Sequence, residues 1–408
     1  MDAQQIASRS SLGIAIVGLG GAVATTAIAG MELLRRGEVG HEGLPLADAP
    51  AALTGALAAY GDLVFAGWDL CGDDLAAAAL QHDVLSARQY EQARETLASI
   101  RPWPAVSNTA YSERVDGKHR ALAVNHRGAI DLIRADLQRF REQAGVRDVV
   151  MINLASTETF VDRNALTYAS IEAFEGALDA NSAEISPAML YAYAAVAERV
   201  PYGNFTPSIA GDVPALVKLA ERASVPLAGK DGKTGQTMLK TVIAPALRTR
   251  ALHVDGWFST NILGNRDGLA LESPGSLKSK VMTKASVLDQ ILGYEVKNHI
   301  VDIRYYAPRG DNKEAWDNID VTGFLGQKMQ LKVNFLCRDS ILAAPLVIEI
   351  ARVLDLAKRR GEGGVQEQLG LFFKLPQTRD GRSPEHALHR QEQTLLAWLA
   401  KSEPSERS

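Results

Sequence analysis

Lysines set beside aspartate, asparagine and glycine recur through the second half of this chain. The stretch "AGKDGKTGQTMLKT" (228–241) packs three lysines and one aspartate into fourteen positions. Similar patches follow in "SLKSKVMTK" (276–284), "APRGDNK" (307–313) and "FFKLP" (372–376). Clustered ammonium groups can bind a phosphate, stabilise a developing oxyanion and, where they are desolvated, transfer a proton.

The overall charge indicates that these lysines act locally, on a small anion. The chain has 408 residues and a formal net charge of −4, so no general basic field recruits nucleic acid or anionic lipid. The two cysteines, Cys71 and Cys337, argue against a disulfide framework and a cysteine zinc site, and fit a reducing, cytoplasmic compartment. We expect neither a signal peptide nor a membrane span.

Two of the lysine patches allow a functional and a structural interpretation. On a helix, Lys280 and Lys284 would share a face with Val287 and Ile291, so a solvated face is less consistent with the pattern than a face that meets an anion. A like-charged pair at this spacing costs about 0.2–0.5 kcal/mol even when exposed. Lys374 lies among apolar residues, which suits either an easily deprotonated amine or a snorkelling side chain.

A glycine-rich turn near the start of the chain predicts a nucleotide site. Gly18-Leu19-Gly20-Gly21-Ala22 follows a short apolar strand and opens a helical pattern, although the sixth position of the usual motif is Val23. Asp69 ends the next predicted strand, over 62–70. An acid there favours NAD over NADP by binding the ribose, and the alternative is a helix cap.

The pattern of elements changes near residue 240. Before it, strands and helices alternate as in a Rossmann-like α/β domain. After residue 240, strands and helices no longer alternate as parallel β-α-β units. This change predicts a second domain built on a mixed or antiparallel sheet. The later elements are predicted as strands at 252–258, 299–306 and 328–337, polar helices at 262–270 and 278–292, a long helix at 340–360 and a terminal helix at 384–401.

Several dissimilar motifs, in order, carry a resemblance that covers nearly the whole chain. They are "GLGGAVATT" (18–26), "GWD" (67–69), "NLASTE" (153–158), "AGKDGKTGQT" (228–237), "NILGNRDG" (261–268), "SKVMTKASVLD" (279–289), "GDNKEAWD" (310–317), "CRDSILAAPL" (337–346) and "FFKLP" (372–376). In them the chain resembles the inositol-1-phosphate synthases, also called inositol-3-phosphate synthases. The resemblance implies a Rossmann-like NAD-binding domain interrupted by an α+β catalytic and oligomerisation domain.

The resemblance also implies an activity. Members of this family cyclise D-glucose 6-phosphate to myo-inositol phosphate with bound NAD. C5 is oxidised, C6 loses a proton and attacks the C1 aldehyde, and the hydride then returns to C5. The reaction is a net isomerisation, so NAD is regenerated in place. The implied partners are a sugar phosphate and further copies of the chain, most simply in a homotetramer.

The matching positions imply roles for individual residues. Lys280 matches a lysine near the reacting C5 oxygen, Lys374 one that polarises the C1 carbonyl, and Asp231 an acid beside the lysine cluster. Lys284 and Lys313 match catalytic lysines that also hold the phosphate or the substrate oxygens. The remaining matches are a substrate contact at Asn265 and NAD contacts at Gly18, Leu19, Gly20, Gly21, Ala22, Asp69, Ser156, Thr157, Asp267, Asp339 and Ser340. No metal ligand is expected.

The implied domains are 1–239 for NAD, 240–340 for catalysis and assembly, 341–402 as a segment returning to the first domain, and 403–408 as a flexible tail. Departures from the eukaryotic pattern, such as "GLGGAVATT" in place of "GLGGNNGST", suggest a compact prokaryotic-type enzyme. Two other functions stay open: an NAD-dependent sugar or polyol phosphate dehydrogenase, and a non-catalytic NAD sensor. A dehydrogenase would leave most of the lysine patches unexplained. A non-catalytic sensor would not require all four matching lysines, and all four are present.

Overall fold

The computed structural model describes residues 11–112, 117–264 and 287–401. Within these ranges, no helix has both the length and the apolar character needed to cross a membrane. Both cysteines are free, Cys71 exposed and Cys337 buried. The fold is α/β, with one parallel sheet of seven strands and a separate mixed sheet of four strands.

The larger sheet has the strand order of a doubly wound dinucleotide fold. Its paired strands are all parallel, and their spatial order is β11-β6-β5-β4-β1-β2-β3. The chain therefore reverses direction across the sheet at β1 and β4, the topological switch point at which such sheets bind ligands. These strands are β1 (Leu12–Val17), β2 (Leu63–Asp69), β3 (Trp103–Pro104), β4 (Asp148–Asn153), β5 (Tyr202–Asn204), β6 (Pro226–Gly229) and β11 (Gly364–Val365).

Helices cover both faces of this sheet. All six residues of β1 are buried, because its side chains alternate between two cores: Ile14 and Ile16 in one, Ala15 and Val17 in the other. The helices of the described residues are α1 (Ala22–Arg35), α2 (Ala51–Thr54), α3 (Leu75–His82), α4 (Ala87–Ser99), α5 (His126–Ala144), α6 (Ile171–Asp179), α7 (Pro187–Ala197), α8 (Pro214–Ala223), α9 (Gln236–Thr249), α10 (Asp339–Arg359) and α11 (Leu388–Leu399).

The smaller sheet is built from β7 (His253–Leu263), β8 (Asn298–Tyr305), β9 (Asn312–Thr322) and β10 (Lys328–Arg338). Its order is β10-β9-β7-β8. β7 and β8 are parallel, whereas β9 is antiparallel to both β7 and β10. One face packs on α9 and on helical residues 287–292 through a small core that includes Trp257, Ile319 and Leu288.

Helix α10 carries the chain back to the larger sheet. Its residues Val347, Ile350 and Leu354 belong to the same core as Ile14. Arg147, just before β4, donates two hydrogen bonds to the Asp355 carboxylate, at 2.9 and 2.8 Å. These contacts agree with the expected return of the C-terminal segment, although the predicted domain boundaries stay predictions.

Two expectations about the elements after residue 240 need correction. A helix over 262–270 is wrong at its start, because β7 continues to Leu263; the rest of that range lies outside the described residues. The helix over 278–292 can be followed only across 287–292, where it is helical. β9 was not predicted: its inward-facing positions include Lys313 and Asp317, and these charges hide the alternation of a strand.

Candidate active site

The glycine turn lies at the switch point, between the carboxyl ends of β1, β2 and β4. Gly18 has a φ of +89°, and a Cβ there would lie 3.1 Å from the backbone of Ala155 in the loop after β4. The amides of Gly18 and Leu19 donate to the carbonyl of Trp68, at 2.8 and 3.0 Å. The turn is thereby fixed to β2, and its small residues leave room for a ligand to approach the backbone.

Asp69 stands beside this turn, as predicted, at the end of β2. Its Oδ2 accepts from the Gly20 amide at 2.8 Å, and its Oδ1 accepts from the Cys71 amide at 2.9 Å. The alternative of a helix cap is wrong, because Asp74 caps α3 by accepting from Ala77. The carboxylate is therefore held at the position where a dinucleotide fold binds ribose hydroxyls.

A cavity of about 380 Å³ opens over the turn, and we call it the nucleotide cavity. It runs between the glycine turn, the loops after β2, β3 and β4, and the start of α10. Leu19 is buried beneath the turn, and Thr157 lines a neighbouring cavity. The predicted NAD contacts that line the nucleotide cavity are Gly18, Gly20, Gly21, Ala22, Asp69, Ser156, Asp339 and Ser340.

A smaller cavity of about 90 Å³ adjoins the first, and we call it the lysine cavity. The two share four lining residues: Val23, Leu154, Ala155 and Asp339. The lysine cavity is also lined by Thr157, Asp231, Lys313 and Lys374. The fold therefore brings three predicted catalytic residues, from the loop after β6, from β9 and from the C-terminal segment, next to the nucleotide cavity.

Lys374 and Asp231 form a buried ion pair. Lys374 Nζ lies 2.7 Å from Asp231 Oδ1, and the Lys374 amide donates to the Asp231 carbonyl at 2.7 Å. The second carboxylate oxygen, Oδ2, is buried and has no hydrogen-bond partner among the described residues. Because a buried acceptor without a donor is costly, this atom indicates a place for a ligand hydroxyl.

A second ion pair joins β9 to the start of α10. Lys313 Nζ lies 3.3 Å from Asp339 Oδ1, which also accepts from the Thr234 hydroxyl at 2.9 Å. Burial acts to lower the pKa of Lys313, but the combined effect of the neighbouring Asp339, Cys337 and Asp231 raises it. Lys313 is therefore held protonated, as an ammonium that binds an anion must be.

Asp311 fixes the start of α10. Its carboxylate accepts from the hydroxyl of Ser340 at 2.6 Å and from the Ser340 amide at 3.3 Å. Burial raises the pKa of Asp311. Ser340, at the start of α10, is thus oriented by a residue of the loop before β9.

The three lysines of the 228–241 stretch are used differently from the lysines of the cavity. Lys230 pairs with Asp212 at 2.8 Å, Lys233 contacts Gln391, and Lys240 Nζ lies 2.7 Å from His299 Nε2. Burial lowers the pKa of Lys233 to about 7 and of Lys240 to about 8. Lys230 and Lys233 anchor the loop that carries Asp231, and Lys240 joins α9 to β8.

Four predicted site residues, Lys280, Lys284, Asn265 and Asp267, lie outside the described residues. Val287 and Ile291, which the helical spacing places on the face of the two lysines, are both buried. The role of that segment stays a prediction.

Sequence reasoning missed several polar residues of the two cavities. Thr234 and Asn261 line the lysine cavity, and both belong to motifs from which other residues were singled out. Glu158 lines the nucleotide cavity, where its Oε1 accepts from the Ala188 amide at 2.9 Å. His82 is fixed at the turn, with Nε2 2.8 Å from the Gly20 carbonyl, and no sequence motif marks it.

Comparisons with known proteins agree with this geometry. A model of an NAD-binding family, described as myo-inositol-1-phosphate synthase, matches residues 52–400. Inositol-3-phosphate synthase 1 of Bacteroides thetaiotaomicron is 40% identical over 415 residues, covering 96% of each chain. Inositol-3-phosphate synthase from Caenorhabditis elegans has a TM-score of 0.88 at 26% identity, covering 97% of this chain and 87% of that one.

A myo-inositol-1-phosphate synthase-related protein from Thermotoga maritima has a TM-score of 0.80 at 25% identity, covering 97% of this chain and 100% of that one. Sequence motifs, family model, a relative of nearly equal length and structural neighbours all point to the same family. The chain belongs to the NAD-binding myo-inositol-1-phosphate synthase family.

Proposed function

We propose that this chain cyclises D-glucose 6-phosphate to 1D-myo-inositol 3-phosphate, with NAD as a recycled cofactor. The observation that carries the proposal is the junction of the two cavities. A dinucleotide in the larger one would end against the smaller one, which is lined by two lysines and a buried acid. A substrate in the lysine cavity would therefore lie within reach of both the nicotinamide and the acid–base groups.

The residues of the nucleotide cavity fit NAD. The glycine turn leaves a backbone cradle that side chains would fill, since a Cβ on Gly20 would lie 3.1 Å from the Asp69 carboxylate. Asp69 would bind ribose hydroxyls and would repel the 2′-phosphate of NADP. Bound NAD supplies an acceptor for the C5 hydride and the donor that returns it.

Lys374 and Asp231 suit the proton transfers. With one carboxylate oxygen on Lys374 and the other without a donor among the described residues, Asp231 can orient a substrate hydroxyl and accept its proton. Lys374 can donate a hydrogen bond to a carbonyl oxygen that becomes an alkoxide during ring closure. Both groups are buried, where such interactions are stronger than in water.

Lys313 supplies a fixed positive charge. Because its neighbours raise the pKa of Lys313, this side chain stays an ammonium and can hold the phosphate or a substrate oxyanion throughout the reaction. Lys280, Lys284 and Asn265 are proposed to complete the substrate site, and Asp267 to contact NAD, on the basis of the motif matches. We also propose that the substrate is a sugar phosphate, that the chain assembles as a homotetramer and that it is located in the cytoplasm.

The redox balance tests this function directly. The purified chain, given D-glucose 6-phosphate and catalytic NAD, should form inositol phosphate in many turnovers while NADH absorbance stays flat. Phosphorus NMR identifies the product. Steady growth of NADH in step with substrate loss would contradict the isomerase and favour a dehydrogenase, and no reaction at all would favour a sensor.

A further inference from the structure

A chain of buried hydrogen bonds lies behind the lysine cavity and has no part in the mechanism above. It starts at Asp317 on β9, passes through Gln236 at the start of α9 and ends at Asn261 on β7. All three side chains are buried. Among them only Asn261 lines the lysine cavity.

Asp317 fixes the direction of this chain, because a carboxylate only accepts hydrogen bonds. Its Oδ1 accepts from the Trp257 indole at 2.7 Å and from the Ser259 hydroxyl at 2.6 Å. Its Oδ2 accepts from Gln236 Nε2 at 3.1 Å. The Thr260 carbonyl, 3.4 Å from the same nitrogen, is a second acceptor. Gln236 must therefore turn its amide nitrogen towards Asp317.

The orientation is passed on to Asn261. With its nitrogen committed, Gln236 presents its carbonyl oxygen, which accepts from Asn261 Nδ2. The atom left over is Asn261 Oδ1, which is buried and has no hydrogen-bond partner among the described residues. An unpaired buried acceptor costs about 1–3 kcal/mol, and a ligand donor would remove that cost.

We propose that Asp317 and Gln236 are positioning residues that fix Asn261 as the acceptor for one hydroxyl of the substrate. This inference rests on the proposed function, because it takes the lysine cavity as the sugar-phosphate site. Asp231 Oδ2 is a second buried acceptor in the same cavity. Buried acceptors bind hydroxyl donors and repel phosphate oxygens, so these two atoms would contact the polyol part of the substrate. A site built in this way rejects a ligand that lacks the hydroxyl.

Reversing the polarity of the chain tests the proposal. In D317N, the new side-chain carbonyl stays with Trp257 and Ser259, so the new NH₂ faces Gln236. Gln236 and Asn261 must then turn over, and Asn261 presents a donor where the substrate also has one. We expect kcat/KM for D-glucose 6-phosphate to fall about 100-fold.

The double variant Q236E/D317N exchanges the carboxylate and the amide. The acid at position 236 then accepts from both neighbours, which restores the Asn261 oxygen to the cavity. We expect kcat/KM to return to within about tenfold of the unmodified chain. D131N, the same chemical change at an exposed aspartate of α5, should leave kcat/KM unchanged.

Binding is measured separately by calorimetry with D-glucitol 6-phosphate, which has no aldehyde and cannot cyclise. Its affinity should follow the same order: unmodified chain, double variant, D317N. A double variant no better than D317N, or a D317N that matches D131N, would overturn the proposal. An unmodified chain that binds this probe but makes no inositol phosphate would overturn the proposed function alone, and the order of affinities would still decide the inference.

Thermal melting shows whether each variant folds. If D317N is unfolded, N261A provides the decision, because it removes the acceptor and leaves Asp317 and Gln236 paired. Its affinity for D-glucitol 6-phosphate should fall about tenfold. An unchanged affinity would overturn the proposal.

Discussion

Lys374 and Asp231 form a buried ion pair in the lysine cavity. Lys374→Met removes the only charged group of that side chain and keeps most of its apolar length. Since the ammonium is proposed to act as charge develops on the substrate, turnover should fall by at least about 100-fold. Steady-state formation of inositol phosphate, followed by phosphorus NMR, measures the change.

The same substitution leaves Asp231 buried without its cation, which costs about 3–5 kcal/mol. The double variant Lys374→Met/Asp231→Asn removes both charges, so it should recover stability but not turnover. Lys218→Met, at an exposed lysine of α8, is the control and should retain full turnover. Equal turnover in Lys374→Met and Lys218→Met would show that the pair has no part in the reaction.

Glu158 lines the nucleotide cavity, and its burial makes the stability of the fold depend on pH. Burial raises its pKa from an ordinary 4.5 to about 7. Below pH 4.5 the side chain is protonated in both the folded and the unfolded chain. As the pH rises towards 7, the unfolded chain loses this proton first, so the folded state is progressively destabilised.

Glu158→Gln keeps an acceptor for the Ala188 amide and removes the titration. The free energy of unfolding of this variant, minus that of the unmodified chain, should rise between pH 4.5 and 7 and then level off. The difference should reach about 3 kcal/mol, because one pKa unit corresponds to about 1.4 kcal/mol. Denaturant titrations at several pH values measure it, with Glu95→Gln on the exposed side of α4 as control. A difference that does not change with pH would contradict the buried acid.

The motif matches singled out the charged residues that line the lysine cavity, but not all of its uncharged polar residues. Lys313, Lys374, Asp231 and Asp339 were named because they match charged positions of the family motifs. Asn261 and Thr234 carry no such signal, since uncharged polar residues are common in loops and strand ends. Their role follows from which atoms lack a partner, and that is visible only in three dimensions.

At the scale of elements, Gly67 is a position in the larger sheet where the neighbouring strand leaves no room for a Cβ. It has a φ of +154°, and a Cβ there would lie 1.9 Å from the carbonyl oxygen of Ile16, its partner on β1. Gly67→Ala should therefore destabilise the fold by more than about 3 kcal/mol, at or beyond the usual cost of overpacking. Thermal melting of the purified variant checks this.

Gly30→Ala is the matched change with the opposite sign. Gly30 lies inside α1, and a Cβ there has nothing within 4 Å. Alanine should stabilise the helix by about 0.5–1 kcal/mol, because it restricts the unfolded chain. If both variants melt at the same temperature, the close approach at Gly67 is not a constraint on the sheet.

Buried strands and amphipathic helices of the first half were predictable because their hydrophobic patterns are strong. Helix α5, for example, begins after the Asn125 cap and ends at Gly145, and both residue types are typical of helix ends. β9 was not predictable in the same way. Function places Lys313 and Asp317 on its inner face, and a charge at an inward position removes the period on which a strand prediction depends.

At the scale of the whole molecule, the sequence predicted a doubly wound sheet interrupted by a second sheet. It did not predict the pairing within the second sheet, in which β7 is parallel to β8 and antiparallel to β9. Register between strands distant in sequence depends on contacts that no local pattern encodes.

The smaller sheet leaves apolar side chains exposed on the face away from α9. Phe258 and Ile300 are register partners on β7 and β8, 37% and 51% exposed, and Leu336 at the end of β10 is 61% exposed. β10 is also an edge strand of eleven residues, and a long free edge invites pairing with another chain. We expect further copies of the chain to cover this surface, in a homotetramer.

Sedimentation velocity at micromolar concentration should show one species of about four chain masses, where a single chain is 43.9 kDa. Leu336→Glu places a charge on the exposed face and should shift the distribution to smaller species, because burying an unpaired carboxylate in an interface is costly. Leu80→Glu, at an exposed leucine of α3 in the other sheet's helical layer, should leave the assembly intact. A monomer in the unmodified chain would contradict the assembly, and an unchanged tetramer in Leu336→Glu would place its interface on another surface.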